Sequence, residues 1–276
     1  MKRVFLPILT LLAALCSPGL RAATIETLAV PSASMGCDVA VDVIAPDLAA
    51  LKYGQRLPVL YLLHGHGGDA HNWRVVMPNL SRMADRDGVV VVCPDGRTSW
   101  YWDSPVDSTL RYETFLSREL PAHIDSLYRT VADRRGRAVT GWSMGGHGAM
   151  WLAMRHPDVF GAAGSSSGAL DIRPFPDNWN IKDRIGPKAD NEARWDDYTA
   201  IGQIGAIRDG ELALLVDCGY GDFFFDVNQA FHQRLMERGI RHDYIVRPGV
   251  HEAAYWLDAL DYQWLFFRKF FSRCFR

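Results

Sequence analysis

The feature that most constrains the fold is an alternation of short apolar runs with longer segments of helical spacing. The apolar runs are "PVLYLLH", "GVVVVCP", "RAVTGW", "GAAGSSSG", "LALLVDCG" and "HDYIVRP". Helical spacing lies between most of them, at residues 73–86, 111–128, 144–155 and 223–238. Near-continuous apolar strands that alternate with helices are typical of a mostly parallel central sheet with helices on both faces. The sequence therefore predicts the α/β class.

Two terminal segments of the predicted domain have other patterns. "CDVAVDVIA" alternates apolar and polar residues more openly than the other runs, which is typical of an antiparallel edge strand. The segment 255–271 carries aromatic and apolar residues near helical spacing. We interpret it as a packing helix that closes the domain, not as a binding element.

One segment interrupts the alternation. Residues 171–197 are polar, include three prolines and lack clear periodicity. They are interpreted as an insertion beyond a strand, where α/β enzymes keep specificity elements. A solvated surface excursion is the alternative interpretation.

The N-terminus has the pattern of a secretory signal over residues 1–22. Lys2 and Arg3 precede an apolar run, which is followed by a Pro-Gly pair and small residues. This order of positive, apolar and small residues predicts cleavage after Ala22. The sequence therefore predicts an exported protein, either periplasmic or secreted.

The apolar run of this signal is too short to be a stable membrane span. A lipoprotein with Cys16 at its mature N-terminus is an alternative, but Leu15 occupies the position where a small residue is needed. The remaining residues, 23–276, have a length that suits a single α/β domain.

The formal net charge bears on the class of binding partner, and the cysteines bear on disulfide formation. Loss of the three positive charges in residues 1–22 changes the formal net charge from −2 to −5, so nothing favours nucleic-acid binding. Cys93 and Cys218 end apolar runs and are predicted to be buried free thiols. Cys37 and Cys274 are the least implausible disulfide pair for an exported protein.

The strongest chemical signal is "GWSMGG", residues 141–146. It follows an apolar run and precedes a segment with helical spacing, which is the strand–turn–helix context of a nucleophile elbow. A side chain at Gly141 or Gly145 would collide with the neighbouring strand or helix in so tight a turn. Ser143 is the predicted nucleophile.

A serine hydroxyl needs a base to take its proton, and a third group must orient that base. The acids that follow Ser143 near a strand end lie in "LALLVDCGYGDFFFD". Asp222 lies in the Gly-rich turn beyond the strand and is the predicted orienting acid. Asp217, at the strand end, remains the competitor, and Asp226 is predicted to lie already on the next helix.

The predicted base is His251, which follows the last strand and a Pro-Gly turn at the start of a helix. The other histidines downstream of the nucleophile are placed in or beside helices and strands. They are interpreted as packing or surface residues: His147, His156, His232 and His242.

The stretch "HGHGGDAH", residues 64–71, suggests a metal site at first sight. In the zinc-hydrolase pattern His-x-His-x-Asp-His the aspartate comes one residue earlier and the last histidine two residues earlier than here. A Gly-rich loop after a strand and upstream of an elbow instead supplies a backbone N–H to an oxyanion hole. We predict donors at the backbones of His66 and Met144, and no metal ligands.

The motifs "YLLHGHGG…W", "PDG…SWY", "YETFLSRELPAHID", "GWSMGGHGAM", "DCGYGDFFF" and "RPGVHEAAYW" occur in this order over about residues 39–271. This set resembles the putative esterase (esterase D-like) family, which includes feruloyl and acetylxylan esterases, S-formylglutathione hydrolases, enterochelin esterases and mycolyltransferases. The resemblance implies an α/β-hydrolase fold. It also implies a triad of Ser143, Asp222 and His251 that acts without a cofactor.

The substrate expected on this basis is an ester on carbohydrate, such as an acetyl or feruloyl group on a polysaccharide. Trp100, Tyr101 and Trp102 follow a strand at the same catalytic edge, and they are candidates to stack on a sugar or a phenolic acyl group. Packing of the loop is their alternative role.

Other functions remain as alternatives. A siderophore esterase and an acyltransferase that uses a sugar acceptor belong to the same family. A non-catalytic binding protein would have no need of all three triad residues, and a peptidase of this fold usually carries a large extra domain.

Overall fold

A computed structural model describes residues 23–273, which contain an eight-stranded sheet. The strands are β1 Thr24–Ser32, β2 Cys37–Ala45, β3 Val59–Leu63, β4 Val90–Pro94, β5 Arg137–Gly141, β6 Ala162–Ser166, β7 Ala213–Gly219 and β8 Asp243–Arg247. Their order in the sheet is β1-β2-β4-β3-β5-β6-β7-β8. β2 is antiparallel to both of its neighbours, and the other pairs are parallel. The predicted mostly parallel sheet is confirmed.

Helices connect most of the parallel strands. They are α1 Asn72–Val76, α2 Leu80–Asp87, α3 Tyr112–Thr114, α4 Leu120–Leu127, α5 Met144–Arg155, α6 Ile181–Ile185, α7 Glu192–Asp197, α8 Phe225–Glu237 and α9 Ala253–Phe271. A π-helical turn, Phe115–Glu119, joins α3 to α4. The helix predicted over residues 73–86 is two helices, because Pro78 lacks the N–H that a continuous helix would need.

The prediction that "CDVAVDVIA" is an edge strand is wrong. β1 pairs along the whole length of β2, from Thr24 opposite Ala45 to Ser32 opposite Cys37, and β1 is the edge. Asp42, one of the two polar residues in the alternation, is fully buried. A hydrogen bond and charged partners satisfy its carboxylate inside the protein, so its polarity does not report exposure.

The core lies on both faces of the sheet. Alternate residues of β3 point to opposite sides, so that Tyr61 packs in one hydrophobic cluster and Leu60 in the other. Helices α5 and α8 cover the first side, whereas α1, α2 and α9 cover the second. This arrangement confirms the predicted helices on both faces.

The cysteines within the described residues are free thiols. Cys93 and Cys218 are buried, as predicted. Cys37 is exposed, and Cys274, its proposed partner, lies outside the described residues, as do residues 1–22 with the predicted signal. None of the helices between residues 23 and 273 combines the length and the apolarity that crossing a bilayer requires.

Candidate active site

The chain turns sharply at Ser143, between β5 and α5. Ser143 has φ 55° and ψ −120°, a conformation that a non-glycine residue adopts only when its surroundings impose it. A Cβ added to Gly141 would lie 2.5 Å from the Leu63 carbonyl oxygen, and one added to Gly145 would lie 2.2 Å from the same atom. The two glycines therefore allow the turn to sit against β3, as the motif predicts.

The structure brings Ser143, His251 and Asp222 together, although they are distant in the sequence. The Oγ of Ser143 lies 3.0 Å from Nε2 of His251. Nδ1 of His251 lies 2.9 Å and 3.1 Å from the two carboxylate oxygens of Asp222. A carboxylate only accepts, so Nδ1 carries the proton and Nε2 is free to accept the serine proton.

Two neighbouring turns hold the acid and the base. The turn after β7 is tied to the turn after β8 by the Gly221 N–H, which donates to the Gly249 carbonyl at 2.9 Å. The Asp222 carboxylate also accepts from the Phe224 N–H at 2.8 Å, and its side chain is fully buried. These bonds fix the carboxylate toward the imidazole of His251.

Asp217, the competing acid, faces a different group. Both of its carboxylate oxygens lie 3.3 Å from the guanidinium of Arg247, and its side chain is buried. Burial raises the pKa of Asp217, and the charge of Arg247 opposes that rise. The geometry therefore favours Asp222 as the partner of His251.

The two segments that carry the predicted oxyanion donors adjoin Ser143. Met144 is the first residue of α5, so its N–H has no carbonyl partner within the helix. Within residues 23–273, the backbone N–H of His66 donates to no other group of the protein. A Cβ added to Gly65 would lie 3.4 Å from the Cβ of Ser143, so the Gly-rich loop runs directly beside the nucleophile. The dipole of α5 adds partial positive charge there.

The three histidines of "HGHGGDAH" have separate partners. Nε2 of His64 accepts from the backbone N–H of Gly96 at 2.7 Å, and the ring is buried. The ring of His66 contacts Asn180, whereas Nδ1 of His71 lies 2.8 Å from the buried carboxylate of β2. Within the described residues, no group of three or more potential ligands is placed to hold a metal ion.

A cavity of about 340 Å³ opens over Ser143 and His251. Its walls combine the Gly-rich loop with a set of aromatic rings. The lining residues are Gly65, His66, Gly67, Gly68, Asn72, Val76, Trp142, Ser143, Trp179, Phe223, His251 and Trp256. The site can therefore hold an apolar or planar group beside the nucleophile.

The prediction that Trp100, Tyr101 and Trp102 contact substrate is wrong. All three side chains are at most 1 % exposed, and none lines this cavity. Trp100 and Trp102 stack on each other at 5.4 Å and surround the imidazole of His147. The alternative, packing of the loop, holds because the segment turns inward under the site.

The aromatic walls come from four segments: the elbow, the insertion 171–197, the turn after β7 and the start of α9. Trp179, from the insertion 171–197, stacks on Phe223 with ring centroids 5.7 Å apart. Trp256, near the start of α9, lies edge-on to His251 at 5.0 Å. The helix α9 packs on the sheet as predicted, but its first turn also lines the cavity, which the sequence interpretation excluded.

Most of these wall residues lie close in sequence to a triad residue, and this proximity could have identified them. Trp142 precedes Ser143, Phe223 follows Asp222, and Trp256 is five residues beyond His251. Side chains so close to a triad residue in sequence are natural candidates for the cavity wall. Trp179 has no such neighbour, and only the tertiary structure places it.

The fold defines the class of protein, because solved structures of α/β-hydrolase enzymes superimpose on it. A ferulic acid esterase matches with a TM-score of 0.74 at 27% identity and covers 90% of this chain and 98% of its own. An S-formylglutathione hydrolase from Staphylococcus aureus matches with a TM-score of 0.77 at 22% identity over 90% of this chain and 100% of its own. The second likeness shows the fold alone.

The family profile described as "Putative esterase" matches residues 32–267, and the chain belongs to that family. An esterase of Mycobacterium tuberculosis is 28% identical over 246 residues, which are 80% of this chain and 54% of the relative. A diacylglycerol acyltransferase/mycolyltransferase of Mycobacterium intracellulare is 33% identical over 224 residues, 74% of this chain and 64% of the relative. The chain thus spans about half the length of the esterase relative. The predicted family is confirmed.

Proposed function

We propose that this protein is an exported serine esterase that cleaves its substrate through an acyl-enzyme on Ser143. The single observation that carries the proposal is the continuous hydrogen-bonded series from Ser143 through His251 to Asp222, with distances of 3.0 Å and 2.9 Å. Membership of an esterase family supports the same chemistry. Ser143 and His251 line an open cavity, through which a carbonyl carbon can reach the serine.

In the first step the Oγ of Ser143 bonds to the ester carbonyl carbon while Nε2 of His251 takes its proton. The charge that develops on the carbonyl oxygen is stabilised by the N–H groups of His66 and Met144; loss of one such donor typically costs about 10²–10³ in rate. Asp222 stabilises the imidazolium. When the tetrahedral intermediate collapses, the alcohol oxygen leaves with the proton of His251, and the acyl group remains on Ser143.

In the second step water replaces the alcohol. His251 takes a proton from the water, the hydroxide attacks the acyl carbon, and the ester bond to Ser143 breaks. The serine oxygen regains the proton from His251, and a carboxylic acid is released. The side chains and backbone groups of this chain perform every one of these steps.

The substrate class we propose is an acetyl or feruloyl ester on carbohydrate. The aromatic rings of Trp142, Trp179, Phe223 and Trp256 give the cavity flat apolar walls, which suit a planar phenolic acyl group. The structural match to a ferulic acid esterase supports this choice. Acyl transfer to a sugar hydroxyl is the second candidate, which the likeness to a mycolyltransferase favours.

Export is proposed from residues 1–22, with cleavage after Ala22. Expression of the full chain in a Gram-negative host, followed by fractionation and N-terminal sequencing, tests this directly. Mature protein that begins at Ala23 outside the cytoplasm supports export. Uncleaved protein in the cytoplasm contradicts it.

The substrate is tested with purified protein and a set of esters: methyl ferulate, feruloylated and acetylated xylo-oligosaccharides, and a catecholate siderophore ester. Products are separated with and without an added sugar acceptor. Release of ferulate or acetate from the oligosaccharides supports the proposal. Acylated acceptor as the main product would identify a transferase, and cleavage of the siderophore alone would replace the carbohydrate substrate.

A further inference from the structure

Trp179 and Asn180, at the rim of the cavity, both have left-handed backbones. Their φ values are 47° and 57°. Asparagine tolerates this region, but a bulky residue such as tryptophan adopts it only where the surrounding structure imposes it. Backbone strain of this kind is typical of residues at functional sites.

Buried groups keep this pair in its conformation. The indole N–H of Trp100 donates to the Trp179 carbonyl at 2.9 Å, and Trp100 is 1 % exposed. In α6, the guanidinium of Arg184 donates to the carbonyl and hydroxyl oxygens of Thr98 at 2.9 Å and 2.8 Å. The insertion is therefore anchored to the core loop beneath it, and its rim is presented to the cavity in a fixed position.

The side chain of Asn180, held in place by these bonds, contacts the Gly-rich loop. Its Nδ2 donates to the carboxylate of Asp183 at 2.7 Å, which fixes the amide so that Oδ1 points the other way. Oδ1 lies 3.1 Å from Nε2 of His66. Because an amide oxygen only accepts, His66 carries its proton on Nε2 and donates.

We propose that Asn180 is a positioning residue, which holds His66 so that its backbone N–H faces the carbonyl oxygen of the substrate. This inference rests on the proposed function of the site. Residues 65, 67 and 68 of the loop are glycines, so His66 brings the one large side chain through which this turn can be tied to another segment. An oxyanion donor must be held closely in position, since a small displacement weakens its bond to the developing charge.

The test uses Asn180→Gly, because glycine keeps the left-handed backbone and removes only the side chain. Asn178→Gly is the matched control: it makes the same change two residues away, at an exposed side chain that makes no hydrogen bond within residues 23–273. Each variant is assayed with p-nitrophenyl acetate, with kcat and KM separated. Each is also timed for covalent labelling by a fluorophosphonate, in which the serine oxygen bonds to phosphorus and fluoride leaves.

We expect Asn180→Gly to lower kcat and the labelling rate about tenfold, part of the 10²–10³ that loss of a donor costs, with little change in KM. Asn178→Gly should match the wild type. His66→Ala, which keeps the N–H and cuts the tie from the other side, should show the same loss, and His66→Gln should restore part of it. The double variant His66→Ala/Asn180→Gly should be no slower than the worse single variant.

Wild-type kcat and labelling in Asn180→Gly would overturn the proposal, and so would losses that multiply in the double variant. His66→Ala and His66→Gln leave the insertion intact, so they decide the matter if Asn180→Gly is poorly folded. If the serine mechanism itself is wrong, Ser143→Ala will still hydrolyse the ester. That result is distinct from wild-type activity in Asn180→Gly, which would overturn only the role of Asn180.

Discussion

The indole rings of Trp142 and Trp256 lie parallel, with centroids 5.3 Å apart and 2° between their planes. Trp142 precedes the nucleophile, and Trp256 lies edge-on to His251 at 5.0 Å. The stack therefore joins the nucleophile elbow to the helix that follows the base. It also forms one flat wall of the cavity.

Trp256→Ala should lower kcat/KM for p-nitrophenyl acetate about 3- to 10-fold, since an aromatic pair contributes about 0.5–1.5 kcal/mol. The loss should be greater for methyl ferulate, whose ring would contact this wall, and Trp256→Phe should retain more activity. Leu257→Ala, an exposed change in the same helix, is the control. Equal losses for both esters would show that the wall does not contact the acyl group.

The two competing acids predict different kinetics. Asp222→Asn should lower kcat by about 10⁴, because an amide in place of the carboxylate favours the wrong imidazole tautomer. Asp217→Asn should keep kcat within the same order of magnitude, since this acid faces Arg247 and not His251. Steady-state kinetics on folded protein separate the two. A collapse of kcat in Asp217→Asn, with Asp222→Asn active, would reverse the assignment.

His147 gives the protein a pH-dependent stability. Its imidazole is fully buried among tryptophan rings, and burial lowers its pKa from 6.5 to about 3. The folded protein keeps His147 neutral while the unfolded chain binds the proton, so stability falls as the pH drops from about 6.5 to about 3. The slope from this one group is at most about 1.4 kcal/mol per pH unit.

The measurement is the free energy of unfolding against pH for the wild type and His147→Gln. Glutamine cannot titrate, so the difference between the two curves should be constant above pH 6.5 and shrink below it. A difference that stays constant down to pH 4 would show that His147 binds its proton equally in both states.

Substitution of glycine by alanine should lower stability at the elbow but not at an open position elsewhere in the chain. Gly145→Ala would place a Cβ 2.2 Å from the Leu63 carbonyl oxygen, a backbone atom that cannot move without shifting β3. Overpacking of this kind costs about 1–3 kcal/mol or more, and it should also move Ser143 away from His251. Gly205→Ala, where an added Cβ meets nothing within 4 Å, should leave the unfolding temperature and kcat unchanged. Equal stability of the two variants would contradict the tight contact.

The sequence predicts the elements and the three site residues because both depend on local patterns. Strand–turn–helix flanks identify Ser143, and the turns after the last two strands identify Asp222 and His251, which parallel topology then brings to one edge. The boundaries of α5 were also predicted, since its spacing is regular from the elbow onward.

The errors concern residues whose environment depends on distant segments. Trp100 follows a catalytic-edge strand, yet it is buried because the insertion covers it. The run "CDVAVDVIA" was interpreted as an edge strand, although β1 covers it and partners from other segments satisfy the buried carboxylate of Asp42. Trp179 reaches the cavity through a strained turn that carries no periodic signal. A local sequence pattern cannot predict contacts between segments that are distant in the sequence.

The most direct test of the account is the hydrolysis of p-nitrophenyl acetate by the wild type and by Ser143→Ala, each with and without EDTA. We expect wild-type activity that EDTA does not change. We also expect a loss of at least about 10³ in Ser143→Ala, because the variant lacks the oxygen to which the acyl group would bond. Activity that survives in Ser143→Ala and disappears with EDTA would contradict the serine mechanism. It would indicate instead a metal site at the histidines of residues 64–71.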